Sequence, residues 1–313
     1  MSRAVPGQAR NACGNALEGQ SMIRRDRNPR ASCPIILAVM LGILCGSPHA
    51  PWARTSDSLT VVTLNLWHDQ HDWPKRLNVI VAEMRRIRPD VLCLQEVLQN
   101  PSLRNQAETL GDSLGCHVQF ATVDGPERPK RYGNAILTPH SVLVGESRNL
   151  APADDYRAVA HVRFNWRGLA VDAYSTHLHH MAEGGSIRAT QIRHLLAYVD
   201  STRGDGPVVI AGDFNCELGS PEMNLVTARY DDVFHAVHPE ASRAEATTYN
   251  SRFGVDPGVI DHIFVERHST KPLIPLACGV IFTSVGPDSV WASDHFGVVA
   301  RLGAGKMPKG RGR

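Results

Sequence analysis

From residue 59 onward, short apolar runs alternate with amphipathic segments. LTVVTLNLW (59–67) and VLCLQEV (91–97) are rich in leucine and valine, a pattern typical of buried strands. Between these two runs, apolar residues recur at the spacing of one helix face: Leu77, Ile80, Val81, Met84 and Ile87. We predict a strand, an amphipathic helix with arginines on its other face, and a second strand.

Strands dominate the middle of the chain. Residues 117–176 contain successive apolar runs, and the segment FNW-RG-LAV within them predicts a hairpin. A helix is expected before this region, over NPSLRNQAETLGDSLG with Gly115 at its end, and another after it, from about Ser186 to Arg203. PVVIAGDFN, GVIDHIFVE and FGVVARL predict further strands, and residues 221–228 predict a short helix.

This order of elements predicts an α+β fold. Strands outnumber helices and do not alternate strictly with them, which argues against a single parallel sheet. We expect an α/β sandwich of four layers, in which two mostly antiparallel β-sheets pack face to face and are flanked by helices. No Pro/Gly-rich linker interrupts residues 55–303, so residues 54–303 are predicted to form one domain.

The N-terminal 53 residues follow a different pattern. Four arginines precede an apolar run from Pro34 to Cys45, and small residues follow it. This order is that of a secretory signal, and the run is short for a membrane-spanning helix. We expect residues 1–53 to be an extension with a signal peptide that directs export to the periplasm or the medium, with an uncleaved anchor as the alternative. Residues 304–313 are expected to form a disordered basic tail.

Composition narrows the range of functions. The chain is 42% apolar and 20% charged, which is typical of a globular protein. Residues 54–305 contain 23 Lys and Arg against 29 Asp and Glu, so this body does not attract polyanions over its whole surface. The cysteines beyond the N-terminal extension lack CxxC spacing, which argues against a zinc site: Cys93, Cys116, Cys216 and Cys278.

Polar residues stand at the ends of most predicted strands: Asn65, Glu96, His177, Asp213 with Asn215, Asp261, and Asp294 with His295. Acids and histidines are costly to bury unless they are paired or bind a ligand. Each is carried to a sheet edge by a rigid strand, where preorganised sites are built. Taken singly, each is more often a cap or turn residue. Their co-occurrence predicts a site assembled from several strands.

Seven motifs follow one another over residues 59–302: TLNLW, LQEV, YGNAIL, STHL, GDFN, IDHIFV and SDHF. Together they resemble the endonuclease/exonuclease/phosphatase superfamily, which includes deoxyribonuclease I-like nucleases, neutral sphingomyelinases and inositol polyphosphate 5-phosphatases. The resemblance implies a metal-dependent phosphoric ester hydrolase. The chain departs from the family pattern at His262, because a tyrosine commonly follows the late aspartate. Since successive strand residues face opposite sides, His262 should point away from the partner of Asp261.

The resemblance assigns metal binding to Glu96, with help from Asn65. Hard cations prefer carboxylate and amide oxygens, so Mg²⁺ is the expected cofactor and Mn²⁺ the alternative. By the same resemblance, Asp213 orients or helps to deprotonate the attacking water, and Asn215 donates to a phosphoryl oxygen. Alternation along the strand end should place Asp213 and Asn215 on the same side.

His295 is the expected general base, because imidazole titrates near neutral pH. In the family pattern, Asp261 fixes the tautomer of such a histidine. Asp294 is expected to point the other way along the strand and to bind the metal or a second metal. The two neighbours Asp294 and His295 would then serve one site without forming an ion pair with each other.

The other candidates are expected to contact the substrate. His177 should bind the phosphate, with protonation of the leaving oxygen as a further role. Tyr132 and Asn134 in YGNAIL should line the site, although a structural role within the strand explains these two residues equally well.

The expected function is hydrolysis of a phosphoester by metal-activated water in one in-line step. An exported, sphingomyelinase-like phosphodiesterase acting on lipid headgroups ranks first, because export and the acidic body disfavour nucleic acid. It would contact a membrane peripherally, although no aromatic hairpin suited to insertion is evident. A secreted endonuclease or exonuclease acting on DNA or RNA ranks second, and a phosphomonoesterase acting on sugar or inositol phosphates ranks third. A non-catalytic binding homologue is disfavoured because no motif residue is lost. No obligate protein partner is expected.

Overall fold

The computed structural model describes Trp52 and residues 57–305. The described strands are β1 (Ser58–Asn65), β2 (Val91–Gln99), β3 (His117–Thr122), β4 (Arg131–Thr138), β5 (Val142–Asn149), β6 (Ala158–Trp166), β7 (Leu169–His177), β8 (Val208–Asp213), β9 (Tyr230–Asp232), β10 (Asp261–Glu266), β11 (Leu273–Ile281) and β12 (Gly297–Ala304). The described α-helices are α1 (Trp73–Ile87), α2 (Gln106–Leu114), α3 (Gly185–Thr202), α4 (Asn224–Thr227), α5 (Val233–Val237) and α6 (Arg243–Ala246).

The strands form two sheets of six. One sheet has the order β11-β12-β1-β2-β4-β3, and the other has the order β5-β6-β7-β8-β10-β9. Each sheet contains one parallel pair, β1 with β2 and β7 with β8, and a helix connects the two strands of each pair. The remaining pairs are antiparallel; β6 and β7 are connected by a short turn, whereas β1 with β12, β8 with β10 and β2 with β4 are distant along the chain.

Three apolar clusters define the layers. The first lies between the inner faces of the two sheets and draws on strands of both. The second packs α1 and α2 against the first sheet, and the third packs α3 against the second sheet. Because β1 is covered on both faces, all eight of its residues are buried. The predicted four-layered α/β sandwich is confirmed.

Most predicted elements form close to their expected bounds. The hairpin FNW-RG-LAV connects β6 to β7, and its two turn residues, Arg167 and Gly168, both have positive φ angles, as a tight two-residue hairpin requires. Gly115 ends α2 in the left-handed conformation, as predicted. Four elements were not predicted from the sequence: β9, α5, α6 and the edge strand β11, whose register shifts between Pro275 and Ala277.

Three sequence predictions lie wholly or largely outside the described residues. These are the signal peptide, the N-terminal extension of residues 1–53 and the tail of residues 304–313. Within Trp52 and 57–305, no helix combines the length and apolar character needed to cross a bilayer. The four cysteines in this part of the chain are free thiols.

Candidate active site

Strand register brings three of the predicted residues into one row. Asp213 ends β8, where it stands opposite His177 of β7 on one side and Asp261 of β10 on the other. Directly paired residues on neighbouring strands point to the same face of a sheet and lie close together. The sheet therefore sets two carboxylates side by side, an arrangement that repels when both are ionised.

That repulsion changes the titration of Asp213. The side chain is buried, and burial together with the neighbouring Asp261 raises the pKa of Asp213 to about 7. Two donors partly stabilise the ionised form: the amide of Asn65 donates to Oδ2 at 3.0 Å, and the backbone N–H of Asn215 donates to Oδ1 at 2.9 Å. Asp213 is thus held in place and titrates near neutral pH.

His295 and Asp261 form a buried pair beside this row. Nδ1 of His295 donates to Oδ2 of Asp261 at 2.9 Å, and Nε2 of His295 lies 3.9 Å from Oδ2 of Asp213. Burial alone would lower the pKa of His295, but the surrounding carboxylates, Asp261 foremost, raise it to about 10. The pair has the geometry of a base with its orienting acid: Asp261 fixes Nδ1, and Nε2 is directed toward the cavity.

Glu96 reaches the site through an irregularity in β2. The pairing of β2 with β4 shifts between Leu94 and Val97, and Glu96 in this bulge has a φ of 56°. A bulge re-aims a side chain, and a residue of this kind with positive φ is held there by its surroundings. Burial is the main cause that raises the pKa of the Tyr132 phenol, and the charge of Glu96 adds to it. Glu96 therefore lies close to Tyr132.

Asp294 provides a second carboxylate near Glu96. Burial raises the pKa of Asp294, and the charge of Glu96 adds to the effect. Within the described part of the chain, neither carboxylate forms an ion pair with a lysine or an arginine. Two neighbouring acids without a cationic partner, together with a raised pKa, are the donor set and electrostatics expected of a hard-cation site.

The segment carrying Asp294 and His295 is not part of a strand. β12 begins at Gly297, so the expected alternation of the two side chains is wrong, and both line the same cavity. The hydroxyl of Ser293 donates to the carbonyl oxygen of Asn65 at 2.7 Å and accepts from the backbone N–H of His295 at 3.1 Å. These bonds hold the segment against the end of β1.

One open cavity of about 540 Å³ collects these groups. The predicted residues that line it are Glu96, Tyr132, His177, Asp213, Asn215, Asp294 and His295. Glu96, Asp294, His295 and the buried Asp213 therefore share one space that is large enough for a phosphoester group with part of its substituents.

The family profile described as "Endonuclease/Exonuclease/phosphatase family" matches residues 62–295. The chain belongs to this family. The family is one of divalent-metal-dependent phosphoester hydrolases, so the class of enzyme expected from the sequence is confirmed. The family match does not identify the cation; only the donor atoms of the site bear on that question.

Curated relatives match this chain over different shares of their own length. Nocturnin of Drosophila melanogaster is 27% identical over 268 residues, which cover 72% of this chain and 41% of Nocturnin. Protein angel of Drosophila melanogaster is 23% identical over 266 residues, which cover 74% and 73%. Protein angel homolog 2 of Bos taurus is 32% identical over 174 residues, which cover 49% and 31%. The chain thus spans less than half the length of two of these three relatives.

Solved structures share the family fold. D. rerio TDP2 complexed with single strand DNA product has a TM-score of 0.66 and 18% identity, and the match covers 78% of this chain and 98% of that one. An endonuclease/exonuclease/phosphatase from Beutenbergia cavernae has a TM-score of 0.64 and 23% identity, with coverage of 81% and 73%. At these identities the likeness establishes the fold.

Two of the site residues predicted from the sequence, Asn65 and Asn134, lie behind the cavity. The amide nitrogen of Asn65 donates to Asp213, and its oxygen accepts from the backbone N–H of Trp67 at 2.9 Å, so Asn65 reaches the site through Asp213. The amide of Asn134 donates to the carbonyl oxygen of Ala158 at 2.7 Å and connects β4 to β6 across the two sheets. Asn134 also borders a much smaller pocket beside Tyr132.

Asn215 lies beyond the strand on which its orientation was predicted. β8 ends at Asp213, and Asn215 has a φ of 53° in the turn that follows. Its side-chain amide donates to the carbonyl oxygen of Leu178 at 3.0 Å. Asp213 and Asn215 still line the same cavity, but an Asx turn brings them together instead of strand alternation.

His177 is buried among cationic neighbours. Burial lowers the pKa of His177 well below its ordinary value, and the charge of Arg157 adds to the effect. Nε2 lies 3.5 Å from Oδ2 of Asp213. A neutral imidazole suits a hydrogen-bond donor to a phosphate oxygen better than it suits a source of a proton for the leaving oxygen.

Five further residues line the cavity and were not among the sequence candidates: Asp155, Tyr156, Arg157, His180 and Tyr249. The Arg157 side chain is only 12% exposed, and its contacts are long: 3.7 Å from Nε to Asp155 and 3.5 Å from Nη2 to His180. No pattern around a single arginine at the start of β6 distinguishes it from a surface residue. A largely buried cation that lines an acidic cavity and whose ion pair, with Asp155, is long is suited to bind an anion.

His262, where the chain departs from the family pattern, faces away from the site as predicted. Its Nδ1 lies 2.9 Å from Oδ2 of Asp232, and its Nε2 lies 3.1 Å from the carbonyl oxygen of Cys216. Burial opposes the charged form, but Asp232 outweighs it and raises the pKa of His262. This second histidine–aspartate pair holds the turn after Asn215 from behind.

Proposed function

We propose that the chain is an exported, Mg²⁺-dependent phosphodiesterase that hydrolyses single-stranded nucleic acid. The observation that carries the proposal is the placement of Arg157, a largely buried cation, in the same cavity as the acidic pair Glu96 and Asp294 and as His295, which Asp261 holds from behind. Such a cavity offers one pole for a cation and another for the charge of a phosphodiester.

The residues divide the chemistry between them. Asp261 holds Nδ1 of His295, so Nε2 is the atom that would accept a proton from the attacking water once a bound cation offsets the carboxylates that raise the pKa of His295. Asp213, fixed by the donors from Asn65 and Asn215, orients that water. His177, which is neutral, and Arg157 donate to phosphoryl oxygens and stabilise the charge that develops there.

Glu96 and Asp294 are the residues that would hold the cation, because both are carboxylates in the cavity and neither has a cationic partner among the described residues. Donor atoms of Asp213, Asp261 and His295 also lie within 4.8 Å of one another, but a cation held there would occupy the imidazole of His295 and exclude its role as the base. When bound, a divalent cation polarises the phosphoryl group, acidifies water and offsets the negative charge around His295.

The choice of nucleic acid rests on local charge and aromatic surface. Arg128, Lys130 and Arg131 immediately precede Tyr132 of the cavity, although the body of the chain is acidic. Tyr156 at the cavity is 71% exposed, and aromatic rings of this kind stack on unpaired bases. The fold neighbour D. rerio TDP2 was solved with a single strand DNA product, which supports the same class of substrate.

This proposal reverses the first ranking made from the sequence. A lipid headgroup was favoured there because of predicted export and the acidic body, whereas Arg157 and the exposed Tyr156 ring at the cavity suit a nucleic acid better. Export itself stays a prediction from the arginine-rich and apolar pattern before residue 50.

A comparison of turnover on four substrates tests the proposal. The full chain with Mg²⁺, and the same protein with a chelator, would be offered a single-stranded oligonucleotide, sphingomyelin, inositol phosphates and p-nitrophenyl phosphate. We expect chelator-sensitive cleavage of the oligonucleotide with the highest kcat/KM. Preferential cleavage of sphingomyelin would instead support a lipid headgroup as the substrate, which was the first choice from the sequence. Cleavage that persists in the chelator would reject the metal assignment.

A further inference from the structure

One arginine that plays no part in the chemistry above is buried beside it. Arg76 lies on α1 and is 1% exposed. It stands three residues after Trp73 and four before Ile80, both buried, so it occupies the apolar stripe of the helix. The sequence analysis placed the arginines of this helix on the opposite face, and for Arg76 that expectation is wrong.

The guanidinium of Arg76 donates to backbone carbonyl oxygens. Nη1 donates to Leu66 at 2.6 Å and to Ala292 at 2.9 Å, Nη2 donates to His68 at 2.6 Å, and Nε donates to Gln70 at 3.0 Å. With a longer bond from Nη2 to the Trp67 carbonyl oxygen at 3.4 Å, the planar fork satisfies five carbonyl groups in two segments that are distant in sequence. A lysine, with one ammonium group, cannot span the same set.

Arg76 has no carboxylate within ion-pair distance in the described part of the chain, which is unusual for a buried arginine. Its guanidinium carbon lies over two indole rings, 5.6 Å from that of Trp67 and 5.2 Å from that of Trp73. Burial lowers the pKa of Arg76 to about 10, so the side chain is charged at pH 7, and the acids that act on it from a distance are Asp294, Asp69 and Glu96.

The two segments joined by Arg76 both adjoin the site: one follows Asn65, which holds Asp213, and the other carries Asp294, one of the two residues that would hold the cation. Leu66 directly follows Asn65, and Ala292 precedes Ser293, Asp294 and His295. The Ser293 hydroxyl bond to the carbonyl oxygen of Asn65 closes the same junction from the other side. Loss of the fork would therefore release the segment that places Asp294 opposite Glu96.

We propose that Arg76 is a positioning residue that sets the geometry and charge balance of the cation site. It ties the end of β1 to the segment carrying Asp294, and its positive charge, which no adjacent carboxylate neutralises, is shared with Glu96 and Asp294. The inference rests on the proposed function, since it takes Glu96 and Asp294 as the residues that hold the cation.

The chain contains a matched control. Arg188 on α3 is 4% exposed and also gathers backbone carbonyl groups, those of His179, Met181 and Ala182. It differs in having a direct ion pair, with Nε 2.8 Å from Oε1 of Glu222. Arg76→Lys and Arg188→Lys remove equivalent forks, but only the first lies at the junction with Asp294.

Binding of Mn²⁺ to the full chain, followed by the electron paramagnetic resonance signal of the free ion, provides a readout that does not require turnover. We expect both variants to lower the Tm, and Arg76→Lys alone to weaken Mn²⁺ binding by about tenfold or more. Arg76→Gln, which also removes the charge, should bind Mn²⁺ more weakly than Arg76→Lys.

The possible outcomes separate the claims. A Kd for Mn²⁺ within twofold of wild type in Arg76→Lys, with a reduced Tm, would reduce Arg76 to a structural brace and overturn the inference. Failure of both Arg76 variants to fold would do the same, because it would assign the residue to the core. Wild-type protein that binds no Mn²⁺, or Glu96→Gln that binds it unchanged, would instead reject the metal assignment in the proposed function.

Discussion

Removal of the Asp213 carboxylate should stabilise the metal-free protein at neutral pH, although Asp213 is part of the proposed catalytic machinery. Burial and the adjacent Asp261 raise the pKa of Asp213 from 3.8 to about 7. A carboxyl group whose pKa is raised on folding stabilises the fold fully below pH 3.8, and this contribution is lost as the pH rises through about 7. Asp213→Asn cannot ionise, so it escapes that loss.

The magnitude follows from the same shift. Each pH unit between the two pKa values corresponds to about 1.4 kcal/mol, so the free energy of unfolding of Asp213→Asn should rise relative to wild type by about 2 to 4 kcal/mol between pH 4 and pH 8. The variant also weakens the hydrogen bonds from Asn65 and Asn215, at about 1 kcal/mol each. The loss of these hydrogen bonds does not depend on pH. It therefore lowers the free energy of unfolding of the variant by the same amount at every pH and leaves the change with pH as it was.

Urea unfolding in EDTA at several pH values would measure the difference, because a bound cation would hold the carboxylate ionised. Asp200→Asn is a control of opposite sign. The hydrogen bonds from Arg229 lower the pKa of Asp200, so this variant should lose stability relative to wild type as the pH rises through the ordinary range of an aspartate. A difference between Asp213→Asn and wild type that does not change from pH 4 to pH 8 would refute the reasoning.

Four further changes test other parts of the site. His295→Ala should lower kcat by about 10²- to 10⁴-fold without unfolding the protein; near-normal turnover would reject His295 as the base. Glu96→Gln should raise the Mg²⁺ concentration for half-maximal activity by about tenfold or more; an unchanged Mg²⁺ titration would count against Glu96 as a ligand of the cation. Arg157→Gln should lower kcat/KM for an oligonucleotide and for a small phosphodiester alike and reduce the salt dependence of oligonucleotide binding by about one charge; unchanged turnover of both substrates would reject Arg157 as a donor to the phosphoryl group. Gly212→Ala should destabilise the fold by about 3 kcal/mol in thermal melts, because its Cβ would lie 2.0 Å from the carbonyl oxygen of Thr176.

Much of the fold could be predicted because its strands and helices carry strong patterns. β1 and β2 are uninterrupted apolar runs, and α1 has a clear apolar stripe. β11 escaped detection because it is an edge strand that contains Pro275 and Gly279 and exposes Ile274 and Leu276. An edge strand needs little burial, so it lacks the periodic signal that identifies a central strand.

The candidate site was predictable where a side chain stands at a strand end, and less so where the backbone leaves the strand. Register places His177, Asp213 and Asp261 in one row, in keeping with their positions after or within apolar runs. Asn215 and Asp294 lie in turns, for which strand alternation gives no valid direction. No sequence pattern around Arg157 predicts its place in the cavity. Arg76, in contrast, occupies a position on the apolar face of α1, so its burial could have been predicted.

The irregular backbone around the cavity explains why a simple alternating pattern could not produce this site. Glu96 and Asn215 have φ angles of 56° and 53°, conformations that are unfavourable for residues with side chains, and Gly212 has a φ of 148° that directly precedes Asp213. Each departure turns a side chain from the sheet plane toward the shared cavity. The regular sheets hold these residues from behind, since Gly212 leaves no room for a Cβ against β7 and Asp213 is bound by two donors. The site therefore depends on rigid strands to stabilise a few unfavourable turns, and relaxation of any one turn should disperse the carboxylates more readily than it unfolds the protein.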